Sequence, residues 1–114
     1  NRVVIVNLWA TWCPPCIAEF QGIQNLYDDY GGKVDFILVS DESPMTIQNF
    51  LNDNEYNIKV YTPISEYPSY FDSKSIPRTY IIDRQGRIVI DKKGAANWNS
   101  KKVRDQLDKL LKAS

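Results

Sequence analysis

The sequence predicts an α/β fold with a mixed central sheet and helices on both of its faces. Three observations support this. Apolar, strand-like runs alternate with amphipathic helical stretches in the first half of the chain, the order of a right-handed βαβ unit with parallel strands. Further on, Thr79-Tyr80-Ile81-Ile82 and Arg87-Ile88-Val89-Ile90 flank the turn residues Asp83-Arg84-Gln85-Gly86, which reads as an antiparallel hairpin. A last helical pattern closes the chain. With 114 residues, 43% of them hydrophobic and 25% charged, residues 1–114 are expected to form a single domain around one core.

Each element has a local reason. The run Val3-Val4-Ile5-Val6-Asn7-Leu8 is continuously apolar except for Asn7, as expected of a central strand buried on both faces. Cys16, Phe20, Ile23, Tyr27 and Tyr30 then recur at helical spacing, and Gly31-Gly32 stops that helix. Residues 34–40 supply a second strand. Ser43-Pro44 marks a helix start, with Ser43 as N-cap and Pro44 in the first position, and Ile47, Phe50 and Leu51 give that helix an apolar face. Residues 58–61 read as a short strand or extended loop. Residues 62–75 read as irregular surface with one helical turn around Tyr67–Phe71. Gly94 opens a loop, and a final helix over about 99–112 carries Val103, Leu107, Leu110 and Leu111 on one face.

The chemistry centres on Trp9-Ala10-Thr11-Trp12-Cys13-Pro14-Pro15-Cys16, which holds both cysteines of the chain. A Cys-x-x-Cys pair at a strand-to-helix junction is suited to a reversible disulfide. Cys13 falls at the helix start, where unpaired backbone N–H groups and the helix dipole favour a thiolate. Cys16 lies one turn further in and is expected to be more buried, acting second. Pro14 and Pro15 fit first-turn positions, where a missing N–H breaks no helical bond, and they stiffen the loop. Half of a zinc site is the usual competitor, but zinc wants four ligands, and this chain has no other cysteine and no histidine. A purely structural disulfide closing so short a loop would restrict the unfolded chain little.

Composition removes other classes. There are 14 basic and 14 acidic residues, so nothing predicts nucleic-acid binding. Without histidine there is no Ser-His-Asp triad and no Cys-His dyad. No apolar stretch approaches membrane-spanning length. The chain starts at Asn1, almost inside a strand and without an initiator Met, and reads as a domain excised from a longer precursor. Confining both cysteines to one redox motif fits an oxidising compartment.

The motif after the first strand, together with Ile76-Pro77-Arg78-Thr79 before the hairpin, resembles the thioredoxin superfamily over nearly the whole chain. Within it, Asn7-Leu8-Trp9-Ala10-Thr11-Trp12-Cys13-Pro14-Pro15-Cys16 looks like the TlpA/ResA/DsbE-type branch of bacterial extracytoplasmic thiol-disulfide oxidoreductases. The resemblance implies a thioredoxin-like fold. It implies exchange of the Cys13–Cys16 pair with protein clients, usually as a reductant and in some members for cytochrome c maturation. It further implies a periplasmic location, an anchoring segment absent from this chain, and an upstream electron donor such as a membrane thiol transporter. Its cofactor set is none beyond the redox-active disulfide, and monomer is the default.

The resemblance also assigns residues. Pro77 matches a proline kept cis beside the disulfide, which would turn the Ile76 backbone toward Cys13 so that a client strand can pair there. An ordinary trans proline is what the pattern alone would favour. Trp12, Pro14, Pro15, Ile76 and Pro77 form the client-contacting set, while Trp9 reads as core. Glu42, just past the second strand, matches a glutamate near the cysteine pair and is the candidate acid/base for Cys16. Asp41 competes with it, and a simple helix-start carboxylate is the plainer alternative. Cytoplasmic thioredoxins carry a buried aspartate where this chain has Asn7, which cannot titrate. Two rival activities share the chemistry: a peroxidase, for which Arg78 gives slight support, and thiolate binding of a metal such as copper(I).

Overall fold

The computed structural model describes residues 1–63 and 75–113. Its elements run β1 (Val3–Leu8), α1 (Pro14–Tyr30), β2 (Val34–Val39), α2 (Pro44–Asp53), β3 (Val60–Tyr61), β4 (Arg78–Ile82), β5 (Ile88–Lys93) and α3 (Lys101–Lys112). The helical turn expected around Tyr67–Phe71 lies outside the described residues.

The sheet order is β3-β2-β1-β4-β5. β1 runs parallel to β2, with Val3 opposite Val34 and Leu8 opposite Val39, and antiparallel to β4. β4 and β5 pair antiparallel. The parallel unit and the hairpin therefore meet on β1, as the order of elements required. Two central strands end on one side of the sheet, and Trp9 extends the pairing by donating to the Val39 carbonyl at 3.1 Å.

Side chains alternate between the faces of β1. Val3 and Ile5 enter the larger buried cluster with Phe20, Ile23 and Leu26 of α1, Ile47 and Leu51 of α2, and Leu107 of α3. Val6 and Leu8 point the other way and join Tyr80 in a smaller one, flanked by Val4, Ile37, Val39, Ile76, Ile82 and Ile88. Among the described residues, all three helices thus bury their apolar side chains on one face of the sheet. The expectation of helices on both faces came from the order of the elements. That order fixes the mixed sheet, but the two parallel crossovers, β1 to β2 through α1 and β2 to β3 through α2, step the same way along the sheet, and with the same right hand they set both helices on one face.

Two further differences have local causes. β5 runs three residues past the apolar run, through Asp91, Lys92 and Lys93. These charges sit on an outer strand, where they stay exposed while the backbone pairs, and Arg78 Nε and a terminal nitrogen hold both Asp91 carboxylate oxygens at 2.7 and 2.9 Å. The stop after α1 is also unlike the left-handed glycine cap expected of Gly-Gly. Gly31 keeps a right-handed φ of −59° and donates to the Tyr27 carbonyl. A Cβ there would meet the Tyr27 carbonyl oxygen at 2.7 Å, so close approach explains this glycine.

Candidate active site

α1 begins where β1 ends, and the first two helical positions are Pro14 and Pro15. Cys13 is the N-cap, with extended φ −99° and ψ 106°. Its sulfur accepts from the Cys16 N–H at 3.3 Å. The N-cap place that serine or aspartate commonly fills is here taken by sulfur, and a thiolate in that position faces the positive end of a 17-residue helix. Cys13 and Cys16 are joined in a disulfide, with Cα atoms 5.3 Å apart. The two cysteines differ little in exposure, at 3% and 1%, so it is the cap position rather than burial that separates their chemistry.

Around the disulfide lies an exposed apolar rim. Trp12 is 69% exposed and Pro14 and Pro15 are exposed beside it. Ile76–Pro77 is a cis peptide, and the Ile76 carbonyl oxygen sits 3.9 Å from Cys13 Sγ. Gly94 donates to the Pro77 carbonyl at 2.9 Å from a left-handed φ of +86°, a conformation that suits glycine, and so ties the end of the hairpin to this loop. The residues singled out from sequence, Cys13, Cys16, Trp12, Pro14, Pro15, Ile76 and Pro77, are thereby brought to one end of the sheet. Trp9 is core, with its ring 4.7 Å from Phe20 and 5.3 Å from Phe50.

Glu42 is also at this end, but its carboxylate is occupied. It accepts from the Thr11 backbone N–H at 2.7 Å, the Thr11 hydroxyl at 2.5 Å and the Ser40 hydroxyl at 2.8 Å. None of these bonds reaches a cysteine. Glu42 staples the segment leading into the motif to the end of β2. Asp41 is exposed.

A second carboxylate, not among the residues expected from the sequence, is buried on the helix that carries Cys16. Glu19 is one helical turn past Cys16 and only 5% exposed. Its Oε1 accepts from the Trp98 indole N–H at 2.8 Å and the Ala96 N–H at 3.3 Å, and its Oε2 accepts from Asn7 Nδ2 at 3.0 Å. Burial pushes the Glu19 carboxyl above its ordinary value, against the three hydrogen bonds, which favour the ion. Asn7 donates again to the buried Thr79 hydroxyl at 2.9 Å. Glu19 shares the α1 face of Cys16, Phe20 and Ile23, and a carboxylate on that apolar face was the available signal.

Arg78 spends its guanidinium on Asp91, so it does not supply the free cation that a peroxide site would need near Cys13. Among the described residues, no three histidine, cysteine, aspartate or glutamate side chains cluster as a metal site, and no helix is long and apolar enough to cross a membrane.

Comparison with known proteins agrees with this geometry. The sequence profile named Redoxin matches residues 1–110. The thiol-disulfide oxidoreductase ResA of Bacillus thuringiensis subsp. konkukian is 30% identical over 117 residues, covering 98% of this chain and 63% of that protein. The chain therefore spans somewhat less than two thirds of that relative. Among solved structures, a DsbE-type thiol:disulfide interchange protein described as putative, from Chlorobium tepidum, superimposes with a TM-score of 0.80 at 22% identity, covering 96% of this chain and 80% of that one, a likeness of fold. A DsbF homologue from Corynebacterium diphtheriae gives 0.72 at 25% identity, covering 93% and 72%.

Proposed function

We propose that this chain, which belongs to the Redoxin family, is a thiol-disulfide oxidoreductase that reduces disulfides in protein clients through Cys13 and Cys16. The observation that carries this reading is the Cys13–Cys16 disulfide formed at the N-cap of α1, where the helix end favours the Cys13 thiolate that exchange requires.

In the reduced protein, the Cys13 thiolate attacks one sulfur of a client disulfide. A Cys13–client bond forms and the other client sulfur leaves as thiolate. The Cys16 thiol then gives its proton to a base, and its thiolate attacks Cys13 Sγ. The mixed disulfide breaks, the client leaves with both sulfurs reduced, and Cys13–Cys16 is the oxidised product. Glu19 serves as that base: it is buried one turn from Cys16, and burial raises its affinity for a proton. Glu42 holds the Thr11 segment instead.

Clients dock on Trp12, Pro14, Pro15 and the Ile76–Pro77 segment, with a client strand beside Ile76. The protein works outside the cytoplasm as a monomer, receives electrons from an upstream donor and needs no cofactor beyond the disulfide. Its use of both cysteines in one redox pair supports that compartment. A role in cytochrome c maturation or a similar task fits its likeness to ResA.

The equilibrium potential of the pair tests the proposal, read by Trp12 fluorescence in dithiothreitol or glutathione buffers. A reductant is expected near or below about −250 mV, on the thioredoxin side of the scale. A value near about −120 mV would make it an oxidant. Absence of any reversible transition would overturn the exchange reaction altogether.

A further inference from the structure

We propose that Asn7 is a positioning residue that turns its side-chain amide over each time Glu19 gains or loses the Cys16 proton, donating to the carboxylate in one state and accepting from the carboxylic acid in the other. The inference rests on the proposed role of Glu19.

The geometry assigns the proton to one oxygen. Oε1 of Glu19 faces the Trp98 indole N–H and the Ala96 N–H, and both groups can only donate. Oε1 must therefore stay an acceptor, and an added proton goes to Oε2, the oxygen that faces Asn7 at 3.0 Å. With Asn7 as it stands, that would set an O–H against an N–H. Turning the amide places Oδ1 there instead.

The amide oxygen is not what holds the amide as it stands. Asn7 Oδ1 is buried and has no hydrogen-bond partner among the described residues. The other neighbour of Nδ2 is the Thr79 hydroxyl at 2.9 Å, which accepts from an amide N–H or donates to an amide oxygen equally well. The groups facing Glu19 are neutral: Asn7 from β1 with Thr79 of β4 behind it, and Trp98 and Ala96 from the loop before α3. On its own helix the titratable groups are Cys16, with Cys13 at the cap, once reduced, and, two turns or more further on, Tyr27, Asp28, Asp29 and Tyr30. When Cys16 Sγ–H passes its proton to Glu19 Oε2, the electron pair stays on Cys16 sulfur for attack on Cys13. The amide turns, and the Thr79 hydroxyl hydrogen swings toward Asn7 Oδ1. An asparagine that cannot titrate thus lets a buried carboxyl hold either charge.

The test is a pH titration by NMR of the labelled, oxidised protein, following the Glu19 carboxyl carbon and the Asn7 side-chain amide. The Asn7 resonances are expected to shift with the Glu19 midpoint, with the amide-proton contacts to Thr79 lost on the acid side. Glu19→Gln, whose amide imitates the protonated acid, is expected to hold the Asn7 resonances at their acid position at every pH. Asn7→Leu is expected to slow resolution of a mixed disulfide about tenfold, the scale of one hydrogen bond to a charged group, and to displace its pH profile. Glu19 titrating while the Asn7 amide stays fixed, or Asn7→Leu resolving at the wild-type rate with an unmoved profile, overturns this inference and leaves the exchange reaction standing. A Glu19 carboxyl that keeps one state from about pH 4 to about pH 9 overturns both this inference and its role as base.

Discussion

The rim of the site and the helix that runs inward from Cys16 each hold a glutamate, and the two sit in different surroundings. On the rim, Glu42 is half-buried and takes three hydrogen bonds from Thr11 and Ser40, all within the segments it joins. Below, Glu19 is buried, and its partners come from β1 and from the loop before α3, 12 to 79 positions away in sequence. A half-buried carboxylate that takes one backbone N–H and two hydroxyls from the segments on either side of it acts as a staple. One taken out of water and held by distant neutral groups keeps a raised proton affinity and becomes a carrier. Nearness to the cysteines along the surface is thus a poorer guide to proton chemistry than burial on the cysteine-bearing helix face.

The largest expected effect falls on the cysteines, which both regions serve. Cys13→Ser should reduce insulin turnover to the uncatalysed background. Cys16→Ser should accumulate client mixed disulfides on non-reducing gels, and capture by Cys13→Ser instead would reverse the assigned roles. Next comes the direct contrast between the glutamates. Glu19→Gln should slow resolution of the mixed disulfide about 10²-fold, the lower end of general acid–base effects, in a stopped-flow assay. Glu42→Gln should leave that step within about threefold and lower the urea-unfolding free energy by about 1–2 kcal/mol through weakened bonds to Thr11 and Ser40. The reverse pattern would exchange the two roles.

Stability against pH sharpens the contrast further. Because the folded protein raises the Glu19 carboxyl above its ordinary value of 4.5, its contribution is fully present below that pH and is lost as pH rises through the folded value. Urea midpoints should therefore show Glu19→Gln gaining on wild type as pH rises above 4.5, until the folded carboxyl has ionised. The smallest effect is expected at the hairpin turn, where Asp83 accepts from the Gln85 and Arg87 N–H groups and from Arg87 Nε, which lower its carboxyl below 3.8. This contribution has the opposite sign. It is present above that value and lost as pH falls through the folded one, so the deficit of Asp83→Asn should close in acid.

Much of this was legible because its causes are local. Cys13 at the N-cap, Pro14 and Pro15 in the first turn, and Ser43 accepting from Thr46 follow from what a helix start needs, and each could be read from a few adjacent residues. Glu19 was not read because its meaning depends on Asn7, Ala96 and Trp98, which only folding brings together. Its neighbours Ala18 and Phe20 make it look like an ordinary helix carboxylate. The length of β5 was hidden for a related reason: Asp91, Lys92 and Lys93 carry no apolar signal, and their strand is set by pairing with Tyr80, Thr79 and Arg78. The cis state of Ile76–Pro77 was expected through family resemblance alone.

The ends of the strand order have a consequence for a protein proposed to exchange disulfides with other polypeptides. Among the described residues, one edge, β3, is two residues long, and the other, β5, finishes in exposed Asp91, Lys92 and Lys93. Short and charged borders discourage a foreign strand from adding itself to the sheet and seeding an aggregate. A polypeptide docking on the apolar rim around Trp12 would then meet sheet borders that resist recruiting it as an extra strand.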